Sequence, residues 1–138
     1  MHYLILWIPF MLLISFVLLG MTYIEGSKIT TTEYLGLDDV GPILTLFIGC
    51  IIGFIIYPIT FLPFTILFSL LHVSTKLKVW FALLIGLVAG YILFYFSYPT
   101  ELIHEYRLSP FTSSLPFGLA AIIYVFIEQS VRKNISWQ

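Results

Sequence analysis

Residues 79–98 read VWFALLIGLVAGYILFYFSY, twenty consecutive residues without Asp, Glu, Lys or Arg, closed by Pro99. A helix of that length rises about 30 Å at 1.5 Å per residue, the thickness of a bilayer's hydrocarbon core. A surface helix of a soluble protein keeps a polar face, and this stretch has none. It predicts a membrane span, and the whole chain agrees. Of 138 residues, 60% are hydrophobic and 9% charged, with six Lys and Arg against seven Asp and Glu. Soluble domains carry about 25% charged residues. Mean hydropathy is +1.05. The composition excludes a disordered chain. The single Cys excludes a disulfide-stapled domain, and the net charge of −1 excludes a basic nucleic-acid binder. Ile, Phe and Tyr outnumber Ala by 20, 13 and 9 to four, a bias toward AT-rich codons that points to a bacterial genome.

Three further apolar runs flank this span. Tyr3–Ile24 holds 22 residues without a charged side chain. It lacks the basic start and small-residue cleavage site of a signal peptide, so it reads as a retained span. Ile43–Val73 holds 31 residues, about 46 Å as one helix, longer than the hydrocarbon core. Pro58 and Pro63 lie inside it, and each removes a backbone donor and crowds the preceding turn. A kinked, tilted span is expected near 57–63, with a re-entrant hairpin as the alternative. The fourth run extends from Ser113 or Ser114, read as its cap, to about Gln129, with Pro116 in the first turn. The expected architecture is an all-α integral membrane four-helix bundle. It forms a single polytopic domain over 1–138, with spans at about 3–24, 43–73, 79–98 and 113–129, the second long and proline-kinked.

The connections carry the charges. Residues 25–42 hold Glu25, Lys28, Glu33, Asp38 and Asp39. Thr30-x-x-Glu33 matches a capping box, and Asp38, Asp39 and Pro42 suit a helix start. With four spans, the N-terminus, the 74–78 connection and the C-terminal tail share one side. That side has Lys76, Lys78, Arg132 and Lys133, and the other has Lys28 and Arg107. The positive-inside rule then places both termini in the cytoplasm, and the expected location is the cell membrane. Trp7, Trp80, Tyr23, Tyr95 and Tyr98 sit near expected span ends, where aromatic belts form.

Small residues recur four apart in Thr45-x-x-x-Gly49-x-x-x-Gly53, Ala82-x-x-x-Gly86-x-x-x-Gly90 and Ser114-x-x-x-Gly118. Such stripes form grooves that let a neighbouring helix approach closely. The economical reading packs spans two and three antiparallel through their grooves, and the functional alternative is a self-association face. Residues 46–55 resemble 83–92 at an offset of 37, either a chance product of an apolar alphabet or the trace of an inverted repeat.

Chemistry-bearing residues are few within the spans. Glu128 is the one Asp, Glu, Lys or Arg inside a predicted span, four residues before Arg132, a spacing that allows a helix ion pair. Snorkelling to the interface with that partner is its ordinary reading, and a proton-coupling carboxylate the sharper one. Glu101-x-x-His104-Glu105 reads as a solvated acidic loop or, with Arg107, a docking patch. A metal site there would need help from Glu33, Asp38 or Asp39. Cys50 reads as a small packing residue. Thr60, Thr65 and Ser69 are expected to return hydrogen bonds to carbonyls freed at the kink, with a polar path through Pro58, Thr60, Pro63 and Thr65 as the alternative.

No catalytic, metal or cofactor motif emerges, and a membrane enzyme is the remotest reading. The expected role is non-enzymatic and rests on helix–helix contact: an accessory, regulatory or immunity-type protein. Its partners are the lipid bilayer and either another membrane protein or further copies of itself, without nucleic acid. On that reading Gly49→Leu and Gly86→Leu abolish activity, whereas Glu101→Gln and Glu105→Gln do not. The alternative is a small oligomeric transporter or channel built around the broken second span.

Overall fold

The computed structural model describes residues 2–30 and 40–135, with the backbone alone of His2 and Ile135. Glu33, Asp38 and Asp39, and with them the expected capping box and acidic helix start, lie outside the described residues. The described residues form six α-helices in order: α1 (His2–Ile24), α2 (Pro42–Ile59), α3 (Phe61–Leu70), α4 (Thr75–Ser97), α5 (Thr100–Glu105) and α6 (Pro110–Ile135). A 3-10 turn, Gly26–Lys28, follows α1. Among the described residues four stretches are long and apolar enough to cross a membrane: Tyr3–Lys28, Pro42–Leu70, Thr75–Ser97 and Pro110–Asn134. The protein is an all-α four-helix bundle.

Its surface is inverted relative to a soluble protein. Ile43 and Phe96 are each 84% exposed, while Glu25 is 0% and Glu128 1% exposed. In water that distribution would be costly on both counts. In a bilayer, apolar side chains face lipid and charges hide from it.

The second span is broken at Thr60, which has φ −112° and ψ −67° between α2 and α3. Pro63 explains the break: it has no N–H to offer the Ile59 carbonyl, and its ring crowds that carbonyl. The Thr60 amide and hydroxyl both reach Ile56 O, at 3.0 and 2.9 Å. Beyond the break α3 keeps its heading, because Thr65 meets Tyr124 and Ser69 meets Arg132 in rising order along α6. The span is kinked and crosses; it does not turn back.

α6 begins earlier than expected. Ser109 is its cap, with the Oγ accepting the Thr112 amide at 3.4 Å, and Pro110 takes the first-turn position that tolerates proline. Ser113 and Ser114, expected to cap, lie buried inside the helix.

Helix pairing also departs from expectation. The small-residue stripes of α2 and α4 do not face each other. A Cβ placed on Gly49 would lie 2.5 Å from Ser15 Cα, and one on Gly53 would lie 3.0 Å from Met11 Cα, both on α1. A Cβ on Gly86 would lie 2.5 Å from Phe117 O, and one on Gly90 2.9 Å from Ser114 Cα, both on α6. So α1 packs on α2, α4 packs on α6, and α1 and α6 join the two pairs. The reason is complementarity. The α4 stripe meets a second stripe on α6, Ser114, Gly118 and Ala121, so the two backbones close on each other from both sides. A short connection makes α3 and α4 neighbours in sequence, but the α4 stripe is taken up by α6 and the α2 stripe by Ser15 and Met11 of α1.

Candidate functional site

Two buried polar clusters occupy opposite ends of the bundle, each ending the apolar stripes of the helices that supply it. At the end where α1 and α4 begin, Glu128 of α6 is enclosed by two cations. Its Oε1 lies 2.7 Å from Arg132 Nη2, one turn on in the same helix, and 3.8 Å from Lys78 Nζ of α4. Arg132 also ties α6 to α3: Nη1 donates to Ser69 Oγ at 3.0 Å and Nη2 to Thr65 O at 3.4 Å.

One turn deeper lies a chain of hydroxyls. Thr65 Oγ1 is 3.2 Å from Tyr124 OH, which donates to Tyr57 OH at 3.3 Å; Tyr57 donates in turn to the Tyr3 carbonyl at 2.9 Å. Each hydroxyl has one proton to give. Tyr57 gives its proton to the carbonyl and Tyr124 gives to Tyr57, so Thr65 is the donor that starts the chain. The four groups come from α3, α6, α2 and α1. Phe10 and Phe61 pack edge-on against Tyr124, with centroids 5.6 and 5.1 Å away, and seal it from the bilayer centre.

At the other end Glu25, just beyond α1, holds the start of α6. Its carboxylate accepts the Ser109 amide at 3.0 Å and the Thr112 hydroxyl, and pairs with Lys28 at 2.8 Å. An anion at a helix N-terminus meets unsatisfied N–H groups and the positive end of the dipole. A buried carboxylate with all these partners is a clamp between two spans.

Between the clusters the bundle centre is apolar, with Phe10, Ile14 and Leu18 of α1 against Phe117, Ala120 and Ala121 of α6. Ser15 lies in this layer, but its hydroxyl bonds locally, 2.7 Å from Met11 O and 3.1 Å from Cys50 Sγ. Among the described residues no run of polar groups joins one end to the other.

The residues singled out in the sequence fall into three groups. Gly49, Gly53, Ala82, Gly86, Gly90 and Gly118 sit at helix contacts; Ala82 is fully buried, and Leu83 and Leu87 press on Gly118. Pro58, Thr60 and Pro63 form the kink region. Thr65 and Ser69 do not return hydrogen bonds to freed carbonyls, as expected of them; they bond Tyr124 and Arg132 on α6. Glu128 pairs with Arg132 as the spacing implied, but it is enclosed and does not snorkel. Glu101, His104 and Glu105 are exposed on α5, and the described residues contain no group of three or more His, Cys, Asp or Glu able to hold a metal ion.

Lys78, Glu25, Tyr57 and Tyr124 were not evident as site residues. Their signal is helical spacing. Lys78, Ala82, Gly86, Gly90 and Phe94 are the buried face of α4, so Lys78 is the stripe continued by one turn. Glu128 continues the buried series Phe117, Ala121 and Tyr124 in the same way. Compared with known proteins, the chain matches no family profile, no characterised protein and no solved structure.

Proposed function

We propose that this small membrane protein acts without catalysis, through contacts with another membrane protein, in an accessory, regulatory or immunity-type role. On this reading it lies in a bacterial cell membrane with both termini in the cytoplasm. The observation that carries the reading is the apolar layer between the two clusters: the buried carboxylates Glu25 and Glu128 are each paired at their own end, and the centre is filled by Ile14, Phe117 and Ala121. An interior of that kind suits a rigid scaffold. The small-residue grooves are occupied from within the chain, so contact with a partner falls to the outward faces and to the exposed side of α5. Gly49→Leu and Gly86→Leu therefore report on folding before they report on partner binding. Four of the six Lys and Arg at the end where α1 begins support the orientation.

The second reading, a small oligomeric transporter or channel, is favoured by the break at Thr60 and by the hydroxyl chain reaching inward from one end. The deciding experiment is native mass spectrometry after mild extraction, followed by flux measurement in liposomes. A stoichiometric second protein supports the accessory role. A defined homo-oligomer that passes a solute overturns it in favour of the channel.

A further inference from the structure

The cluster around Glu128 holds two cations and one anion. Glu128 lies 2.7 Å from Arg132 and only within 3.8 Å of Lys78, so its charge is committed chiefly to the guanidinium. Lys78 is 9% exposed, and among the described residues no hydrogen bond to its ammonium is formed. An ammonium carries three donors, and an enclosed cation without acceptors is costly to hold. The position of Lys78 tells what reaches it. It is the fourth residue of α4, about 4.5 Å from the helix start at 1.5 Å per residue. The uncharged run of α4 begins at Val79, and the helix at 23 residues, about 35 Å, exceeds a hydrocarbon core of about 30 Å, which leaves its first turn, with Lys76 and Lys78, for the headgroup layer. That first turn has no side-chain cap, and a helical side chain covers the turn preceding it. Arg132 Nε, also buried without an acceptor, lies on the same cluster. Lys76, two residues before Lys78, and Lys133, next to Arg132, are exposed at the same end, and Glu128 is the one acid at this end among the described residues.

We propose that the bundle end between the start of α4 and the end of α6 binds the phosphate of an anionic phospholipid, with Lys78 as its principal ligand. Basic pockets between spans recognise such headgroups by charge and by donors at phosphate depth. The excess cation is then neutralised by the leaflet at this end of the bundle. The site is independent of whether the protein is an accessory subunit or a conduit.

The test uses the full chain in a neutral detergent, read by native mass spectrometry and thermal unfolding, with phosphatidylglycerol, phosphatidylcholine or inorganic phosphate added. Phosphatidylglycerol is expected to bind one to one and to raise the unfolding midpoint; the other two are not. Lys78→Gln is expected to weaken that binding about fivefold or more, while Arg107→Gln, which removes the same charge from the opposite end, leaves it within about twofold. Glu128→Gln frees Lys78 and Arg132 from their shared anion, so the folded variant is expected to bind phosphatidylglycerol at least as tightly as the wild type. That variant decides the matter if Lys78→Gln does not fold. Equal stabilisation by phosphatidylcholine, an equal loss in Arg107→Gln, or lost binding in folded Glu128→Gln overturns the proposal. A matching shift with inorganic phosphate alone makes the site one for a free anion and overturns the lipid assignment.

Discussion

Trp7 donates its indole N–H to the carbonyl oxygen of Phe54, 3.3 Å away. That carbonyl is the one Pro58 leaves without its helical donor, four residues on. A side chain of α1 thus completes the hydrogen bonding of α2 where lipid could not. The Trp7 ring also stacks on Phe54 and Tyr57, with centroids 4.7 and 5.7 Å away. Trp7→Phe keeps an aromatic ring but loses the donor, and is expected to destabilise the fold by about 1 kcal/mol. In a Pro58→Ala background the residue-58 amide supplies the missing bond, so Trp7→Phe should cost measurably less. A double-mutant cycle on reversible unfolding in detergent checks this; equal costs in the two backgrounds would show that the indole bond carries no energy.

Glycine substitutions should sort by what their Cβ meets. On Gly49 and Gly86 it would lie 2.5 Å from backbone atoms, Ser15 Cα and Phe117 O, which cannot swing aside. On Gly20 it would meet nothing within 4 Å. Gly49→Ala and Gly86→Ala are expected to cost about 1–3 kcal/mol by forcing helices apart. Gly20→Ala should be neutral or stabilising by up to about 1 kcal/mol, since Ala is the better helix former. Unfolding midpoints of the three variants provide the comparison.

The contrast between these glycines shows what the sequence could and could not tell. Spans, stripes and the proline break are local, and spacing alone placed them. Pairing is not local: the α2 stripe fits α1 because Ser15 and Met11 stand opposite at the right heights, a match visible only when two distant segments are laid side by side. The buried charges were obscured for a related reason. Lys78 and Glu25 sit at span ends, where a charge ordinarily means solvent. Only the continuation of a four-residue spacing into the charged residue distinguishes a charge turned inward from one turned to water. Ser113 and Ser114 misled in the opposite way, since both are good caps, but the helix starts at Pro110, where Ser109 and Glu25 satisfy its first turn.

Glu25 offers a test of the clamp at that end. Glu25→Gln preserves the shape but replaces one acceptor oxygen by a donor and removes the charge facing Lys28 and the α6 terminus. A loss of about 2–3 kcal/mol is expected, because donors buried against the carboxylate are left unmet. Thr112→Val removes one of those donors and should cost about 1 kcal/mol. With Glu25→Gln in place, Thr112→Val should add little. Hydrogen exchange at the Ser109 amide, which Glu25 protects at 3.0 Å, reports the clamp directly and should quicken in Glu25→Gln.

The hydroxyl chain separates a structural interior from a conducting one. Tyr57→Phe and Tyr124→Phe each leave the ring packing in place while cutting the chain, Tyr57 at its contact with the Tyr3 carbonyl and Tyr124 at its centre. Each is expected to cost about 0.6–1.7 kcal/mol, the range for hydrogen bonds between membrane helices. The double variant should cost less than the two single changes added together, because each single change already removes the Tyr124–Tyr57 hydrogen bond. The chain starts at Thr65 and ends at Tyr3 O without leaving its half of the bundle, and the layer of Ile14, Phe117 and Ala121 lies beyond it. A scaffold therefore loses stability in these variants with no change in liposome flux. If instead the wild type passes protons or a small cation and Tyr124→Phe slows that flux while remaining folded, the chain is part of a path, and the accessory reading gives way to the transporter.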